Sequence, residues 1–392
     1  MRLLFVDDEP SLLRALQQSL RGQRKVWEMD FVDGATAALA KLELQPYDAV
    51  ISDIRMPFID GAELLKRVRL AHPDTLRIVL SGQMDDGAAA RAAASAHRFL
   101  AKPCETHVLV ATLTRALELR AQVQSERMRS CIGGMATLPS LPSHCAALNH
   151  ALEKKDVTLG QIVEIVGNDV GMVTKLLQLA NSSLFGLPRS VVSIEQAIKC
   201  LGLSAVRSLV GAHSLFAEPA SADTARLQAA QQRSLMVAGY ARRFCLEPQQ
   251  AEVAATAALL HNVGELALLA RMPEQDANEA YAREHGVSTA DAESARLGVT
   301  SAELGAYLLA LWGLPFEVVA AVGSQDAPLE TWQALDAGAV VWLARGLATE
   351  ALGAGAGPPR LADQVVARLG AAEMVARLRQ EIAEPAGARQ AS

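Results

Sequence analysis

The sequence predicts an α/β domain built on a doubly wound, five-stranded parallel sheet, followed by an all-α helical domain. Three observations predict it. Short apolar runs alternate with amphipathic stretches up to about residue 118. From about residue 136 the strand signal ends and helical periodicity takes over. The chain has 392 residues, 51% hydrophobic and 20% charged, enough for more than one domain to bury its own core.

The first domain is read as residues 1–118. "LLFV" at 3–6 is a strand, and Leu13, Leu16 and Leu20 follow at helical spacing. "WEMDFV", "YDAVIS", "RIVLSG" and "RFLAK" supply the other four strands. Strands alternating with helices imply a parallel sheet covered on both faces. In such sheets the working residues gather at the carboxyl ends of the strands. Asp7 and Asp8 end the first strand, Asp53 the third, Ser81 the fourth and Lys102-Pro103 the fifth.

Residues 119–135 continue the last helix as a polar, charged segment that stops at Gly133-Gly134, which reads as a helical linker. Leu109, Leu113, Ala116 and Val123 fall near heptad spacing, but Arg120 interrupts the seam. A dimerising helix and a solvated linker fit this pattern equally, so a homodimer stays open. Residues 136–345 read as the helical domain, with Val170, Val173, Leu177 and Ala180 on one face and Leu176 beside them. Asn181, at the end of that helix, is a natural cap. Residues 346–392 read as a Gly-rich hinge, an appended helix and a frayed tail.

Composition narrows the function. A formal charge of -6 leaves no basic excess for binding DNA or RNA through counterion release. The five cysteines are scattered, without a C-x-x-C pair, as in reduced cytoplasmic proteins. The apolar run in "MRLLFVDDEP" is too short for a signal-peptide core, and no uninterrupted apolar stretch reaches membrane-spanning length. The expectation is a cytoplasmic protein with no nucleic-acid and no membrane partner.

Three carboxylates from two strand ends, a lysine and a hydroxyl would converge in the sheet. Crowded carboxylates call for a hard cation, and Mg2+ suits oxygen ligands. An ion held by Asp8 and Asp53 would also neutralise an incoming phosphoryl group, so that a carboxylate could act as nucleophile. Lys102 supplies a point charge to the phosphoryl oxygens, and Ser81 a hydroxyl that can turn toward them. The motifs "FVDDEP", "SDIRMPFIDG", "IVLSG" and "FLAKPC" resemble, in order and spacing, those of a response-regulator receiver domain. The resemblance implies that Asp53 is the phosphoacceptor and that Asp7, Asp8, Asp53 and the backbone carbonyl of Arg55 hold Mg2+. It also implies that Ser81 and Phe99 are the switch pair and that a histidine kinase or phosphotransfer protein is the donor. Phe99, three residues before the lysine, also fits as a core aromatic.

The helical half resembles the HDOD family, which is related to metal-dependent HD phosphohydrolases. The resemblance rests on "LPSLP", "NDVGMVTKLLQLANSSLFGL", "SIEQAIKCLG", "AALLHNVGELAL" and "ELGAYLLALWGLPFEVVAAV". An HD hydrolase holds its metal with an upstream histidine, an adjacent His-Asp pair and a distant aspartate, leaving a position for water. Here Arg233 stands where a relative would offer the upstream histidine. His261 is followed by Asn262 instead of an acid, and Ser324-Gln325 precede the only nearby acid, Asp326. This degenerate set predicts no transition metal, no enzyme activity and an output that binds a protein partner. Gly264 is read as a close helix contact. The competing reading is a metal-dependent HD-type phosphodiesterase using His261 and ligands not evident in the motifs.

Overall fold

The computed structural model describes residues 1–82, 91–122, 126–154, 156–182, 190–211, 224–244, 246–272, 276–353 and 361–383. Its sheet has the strands β1 (Arg2–Asp7), β2 (Glu28–Asp33), β3 (Ala49–Ser52), β4 (Leu76–Ser81) and β5 (Arg98–Ala101). All neighbours pair in parallel, in the order β2-β1-β3-β4-β5. β1, β3 and β4 carry almost unbroken buried apolar runs, because helices cover both faces of a doubly wound sheet. The helices between strands are α1 (Pro10–Ser19), α2 (Gly34–Leu44) and α3 (Gly61–Ala71). Pro10 opens α1, where its missing N–H costs nothing, and the Asp60 side chain caps α3 by accepting from the Glu63 N–H at 2.8 Å. Residues 91–93 are helical ahead of β5, and α4 (Thr106–Gln122) follows it.

The segment read as a linker forms α5 (Glu126–Gly133), and residues 132–141 are buried. The Gly133 carbonyl accepts hydrogen bonds from inside the first domain, so this stretch is a packed element and not a solvated tether. Val123, the last member of the heptad-like series, lies outside the described residues.

The helical half contains α6 (Pro142–Glu153), α7 (Leu159–Gly167), α8 (Val170–Ala180) and α9 (Ile194–Gly211), the last interrupted at Gly202. Asn181 behaves as the cap expected of it. Its amide donates to the Leu177 carbonyl at 2.9 Å and exchanges two hydrogen bonds with the backbone of Val191. Next come α10 (Thr224–Ala241), α11 (Pro248–Leu260), α12 (Val263–Arg271), α13 (Asp276–His285), α14 (Thr289–Leu297) and α15 (Ser301–Trp312). The chain continues with α16 (Phe316–Gly323), α17 (Ala337–Leu352), α18 (Asp363–Arg368) and α19 (Ala372–Ala383).

Packing divides the chain into two compact units that do not follow the sequence order. One comprises Met1–Val166, Gly171–Glu218 and Leu311–Gly313; the other Gly167–Val170, Pro219–Ala310 and Leu314–Ser392. The first therefore unites the whole sheet with α6, α9 and most of α7 and α8. In the second, α10, α11 and α17 pack on one another, and α17 also packs on α16 and α19.

One sequence expectation needs correction. Pro248–Arg271 is long and apolar enough to cross a membrane, because α11 runs almost directly into α12, with only His261 and Asn262 between them. Most of this stretch is buried, as in a core helix of a helical domain.

Candidate functional site

The carboxyl ends of β1, β3 and β5 bring together Asp7, Asp53 and Lys102. The Lys102 ammonium donates to Asp7 Oδ2 at 2.5 Å and to Asp53 Oδ1 at 2.7 Å. Burial by itself lowers the Lys102 pKa, and the hydrogen bonds to Asp53 and Asp7 more than reverse this, leaving it above its ordinary value. The remaining oxygens are also held. Asp53 Oδ2 accepts from the Arg55 backbone N–H at 2.7 Å, and Asp7 Oδ1 from the Glu9 N–H at 3.0 Å. Both carboxylates are thus fixed by the backbone on one side and by one cation on the other.

The base of the site is tightly built. A Cβ on Gly61 would lie 1.9 Å from the Asp53 carbonyl oxygen, so only glycine lets α3 start against the end of β3. Asp8 stands exposed at the turn after β1. Among the described residues no three acidic, histidine or cysteine side chains converge closely enough to form a metal cluster. The chemistry of the donors nonetheless suits a hard cation, since Asp7 and Asp53 bring two carboxylates to one counter-charge.

Ser81 and Phe99 are both buried, at 1% and 3% exposure. Their register places them on one sheet face, since Val79 pairs with Phe99 and Ser81 with Ala101. A separate cleft of about 810 Å³ opens at the opposite, amino ends of the strands, bordered by Arg2, Asp48, His72 and Arg120. It touches none of Asp7, Asp53 or Lys102, so it has no part in this chemistry.

In the helical half, the residues that sequence places at the degenerate metal site are bonded to protein. Asn262 Oδ1 accepts from the Ser234 hydroxyl at 2.5 Å, and its amide donates to the Ala230 carbonyl at 2.7 Å. Arg233 does not turn on the His-Asn pair; it forms an ion pair with Glu265. Gln325 donates to the His261 carbonyl at 2.8 Å, and Asp326 is paired with Arg345 at 2.8 Å. Ser234, Glu265, Gln325 and Arg345 thus complete the arrangement. Sequence reasoning missed their roles, although it had singled out Gln325 itself and Arg233 beside Ser234.

His261 Nδ1 lies 2.8 Å from the Ala258 carbonyl, one turn back, so the neutral ring carries its proton there. Burial, reinforced by the charge of Arg345, pushes its pKa down to about 3. The unfolded ring binds a proton below its ordinary value of 6.5, and the folded ring refuses it down to about 3. Stability is therefore lost as pH falls through that window. Glu293, held by the Ser301 N–H at 2.6 Å, is pushed up to about 7 by burial, and its contribution runs the other way between 4.5 and 7. The two partly cancel in the wild type. The difference in unfolding free energy between wild type and His261→Gln isolates the first, and is expected to fall by about 2 kcal/mol between pH 6.5 and pH 5. Urea titrations at the two pH values check it, and a difference independent of pH would refute the buried neutral ring.

Gly264 is the close contact anticipated. A Cβ there would sit 1.9 Å from the Ser301 carbonyl oxygen. Gly264→Ala is expected to cost about 3 kcal/mol by forcing α12 and α15 apart, read as a lowered urea midpoint.

A doubly wound sheet in the order 2-1-3-4-5, with acids and a lysine at its carboxyl end, defines the fold of a phosphotransfer receiver. Comparison with known proteins agrees: the response regulator receiver domain model matches residues 3–114, and the HDOD domain model residues 138–328. The chain thus carries a response regulator receiver domain followed by an HDOD domain. Among its relatives, an uncharacterized protein of Treponema pallidum is 30% identical over 209 residues, 51% of this chain and 40% of that protein. The C4-dicarboxylate transport transcriptional regulatory protein DctD of Pseudomonas aeruginosa is 37% identical over 128 residues, 32% of this chain and 27% of that protein. The chain thus spans two fifths or less of the length of these curated relatives. The MmoQ response regulator of Methylococcus capsulatus is 25% identical, with a TM-score of 0.48, over 63% of this chain and 98% of that one.

Proposed function

We propose that this response regulator accepts a phosphoryl group on Asp53 and signals through an HDOD domain that binds a protein partner and catalyses nothing. On this reading a carboxylate oxygen of Asp53 attacks the phosphorus of a phosphohistidine on a histidine kinase or phosphotransfer donor, the O–P bond forms as the N–P bond breaks and the donor's imidazole leaves, and Lys102 shifts from bridging two carboxylates to holding the phosphoryl oxygens. Asp7, Asp8, Asp53 and the Arg55 carbonyl would hold Mg2+. When bound, that ion neutralises charge on the transferring group. Ser81 and Phe99, on one face of β4 and β5, would carry the change outward, and a cytoplasmic location fits a partner that is itself a phosphodonor.

The observation that carries the non-catalytic reading is the bonding of Asn262. Its carbonyl and amide are both spent on Ser234 and Ala230, and a neutral amide brings no charge to a divalent ion. The pairings of Glu265 with Arg233 and of Asp326 with Arg345 engage the downstream acids. Elemental analysis of purified full-length protein tests this, alongside assays for metal-stimulated cleavage of cyclic dinucleotides and nucleotides. Neither bound transition metal nor cleavage is expected. One or two metal ions per chain, lost in His261→Ala, would restore the phosphodiesterase reading.

A further inference from the structure

The compact unit that contains the sheet also contains α8, and two buried polar side chains of α8 take hold of the receiver backbone. Lys175, 2% exposed, donates from its amine to the Ala93 carbonyl at 2.5 Å and to the Ala136 carbonyl at 2.9 Å. One turn on, Gln178, also 2% exposed, donates to the His97 carbonyl at 2.9 Å. Residues 93 and 97 bracket the turn that leads into β5, the edge strand of the sheet. An uncovered edge is a liability that proteins cover or charge, and here α8 lies against its approach.

Beneath α8 the receiver presents a further buried polar layer. Arg77 on β4, fully buried, donates to the carbonyls of Ser95 at 2.6 Å, Thr75 at 2.9 Å and Gly133 at 2.7 Å. His97 Nδ1 accepts from the Arg77 backbone N–H, so its neutral ring carries the proton on Nε2 and donates it to the Gly133 carbonyl at 3.0 Å. Burial, with the charge of Arg77, holds His97 well below its ordinary pKa and therefore neutral. The Lys175 amine is pushed down to about 7, first by burial and then by the charges of Arg69 and Arg77. Near neutral pH the amine is therefore divided between its charged and neutral forms, and in either the carbonyls of Ala93 and Ala136 take two of its protons. A buried amine beside two guanidiniums is a poor way to gain stability, since an apolar side chain would fill the same space at lower cost. What the amine provides is directional hold on backbone that an apolar chain could not grip.

The held backbone leads straight to the phosphoacceptor site. Arg77 and Ser81 lie on one face of β4, and Phe99 lies on the same face of β5. From residue 97 to Lys102 is only about 16 Å of extended chain. We propose that α8 is the docking element by which the HDOD half holds the receiver in its unphosphorylated arrangement, with Lys175 and Gln178 gripping the backbone at residues 93 and 97. The inference rests on Asp53 as phosphoacceptor and assigns the residues that read its state. A phosphoryl group that draws Ser81 and Lys102 inward shifts the ends of β4 and β5, and the grip at their opposite ends opposes that shift. The two sites are then coupled, and by linkage the coupling is reciprocal.

The test uses the full chain as wild type, Lys175→Met and Gln178→Leu, each checked for an intact cooperative melt. Acetyl phosphate with Mg2+ is the phosphodonor, followed by intact mass. Both variants are expected to take phosphate about fivefold faster or more than wild type. Without phosphodonor, the amides of Ser95, Ala96 and His97 should exchange faster in the variants, since those residues lose their hold. Wild type phosphorylated and variants with neither change in rate nor in exchange would overturn the grip alone. Wild type that takes no phosphate would overturn the phosphoacceptor reading, and the coupling with it.

Discussion

Full-length protein treated with a small phosphodonor and Mg2+ is expected to gain the mass of one phosphoryl group, and the Asp53→Ala protein to gain nothing. The effect is all or none, because the nucleophile is removed while the rest of the site stays in place. Lys102 keeps Asp7 as its partner at 2.5 Å, so the variant's lysine is not left buried and unpaired. Asp7 is the natural competitor, since it meets the same ammonium and is equally held by a backbone N–H. The experiment separates the two. Equal acid-labile phosphate on wild type and Asp53→Ala, measured by intact mass, would transfer the role to Asp7 or Asp8. The full chain is the right object for this measurement, because α5 and α8 bond directly to the receiver's own backbone and side chains.

Restoring the missing acid is expected to harm the protein rather than activate it. Asn262 is 4% exposed, and its amide donates to the Ala230 carbonyl. In Asn262→Asp a carboxylate oxygen would replace that donor and face the carbonyl oxygen, an acceptor against an acceptor in a buried site. The carboxyl must then stay ionised with the Ser234 hydroxyl as donor but with an acceptor against its other oxygen, or take up a proton, and either course costs about 3 kcal/mol. A lowered urea midpoint for Asn262→Asp at neutral pH is the expected readout. Added Mn2+ or Zn2+ should not reverse it, since Arg233 stands where the upstream histidine would be needed and Arg345 holds Asp326. A midpoint that recovers on adding metal would mean that the hydrolase site lies one substitution away, and the non-catalytic reading would fall.

Much of the receiver was legible in the sequence for a physical reason. A doubly wound sheet writes its strands as apolar runs and its chemistry at their carboxyl ends, so Asp7, Asp53, Ser81 and Lys102 could be placed by position alone. The departure from the His-Asp pair was also legible, because Asn262 breaks a motif of adjacent residues. How those residues are bonded was not. Ser234 reaches Asn262 across 28 residues, and Gln325 reaches the His261 backbone across 64. No local periodicity encodes such a pairing. Lys175 was hidden differently: within "VTKLLQLA" it reads as the polar face of an amphipathic helix, and only tertiary structure shows that face buried. For the same reason a charged stretch ending in Gly133-Gly134 reads as a tether, although its end is packed against the sheet.

The polar layer at Arg77 and His97 bears on how this receiver could be transplanted. Receivers are commonly treated as interchangeable cassettes, joined to any output by a suitable spacer. Here a fusion cut after residue 122 would strip the Gly133 carbonyl from both a buried guanidinium and a buried imidazole. Water would have to replace it on a surface shaped for protein, and the approach to β5 would lie open to strand-to-strand association. A chimera made this way should melt lower than the parent and form larger species by light scattering. Carrying the chain through α8 in the graft should return both properties toward the parent's, which makes Ala180, and not the end of the receiver motif, the natural point at which to cut.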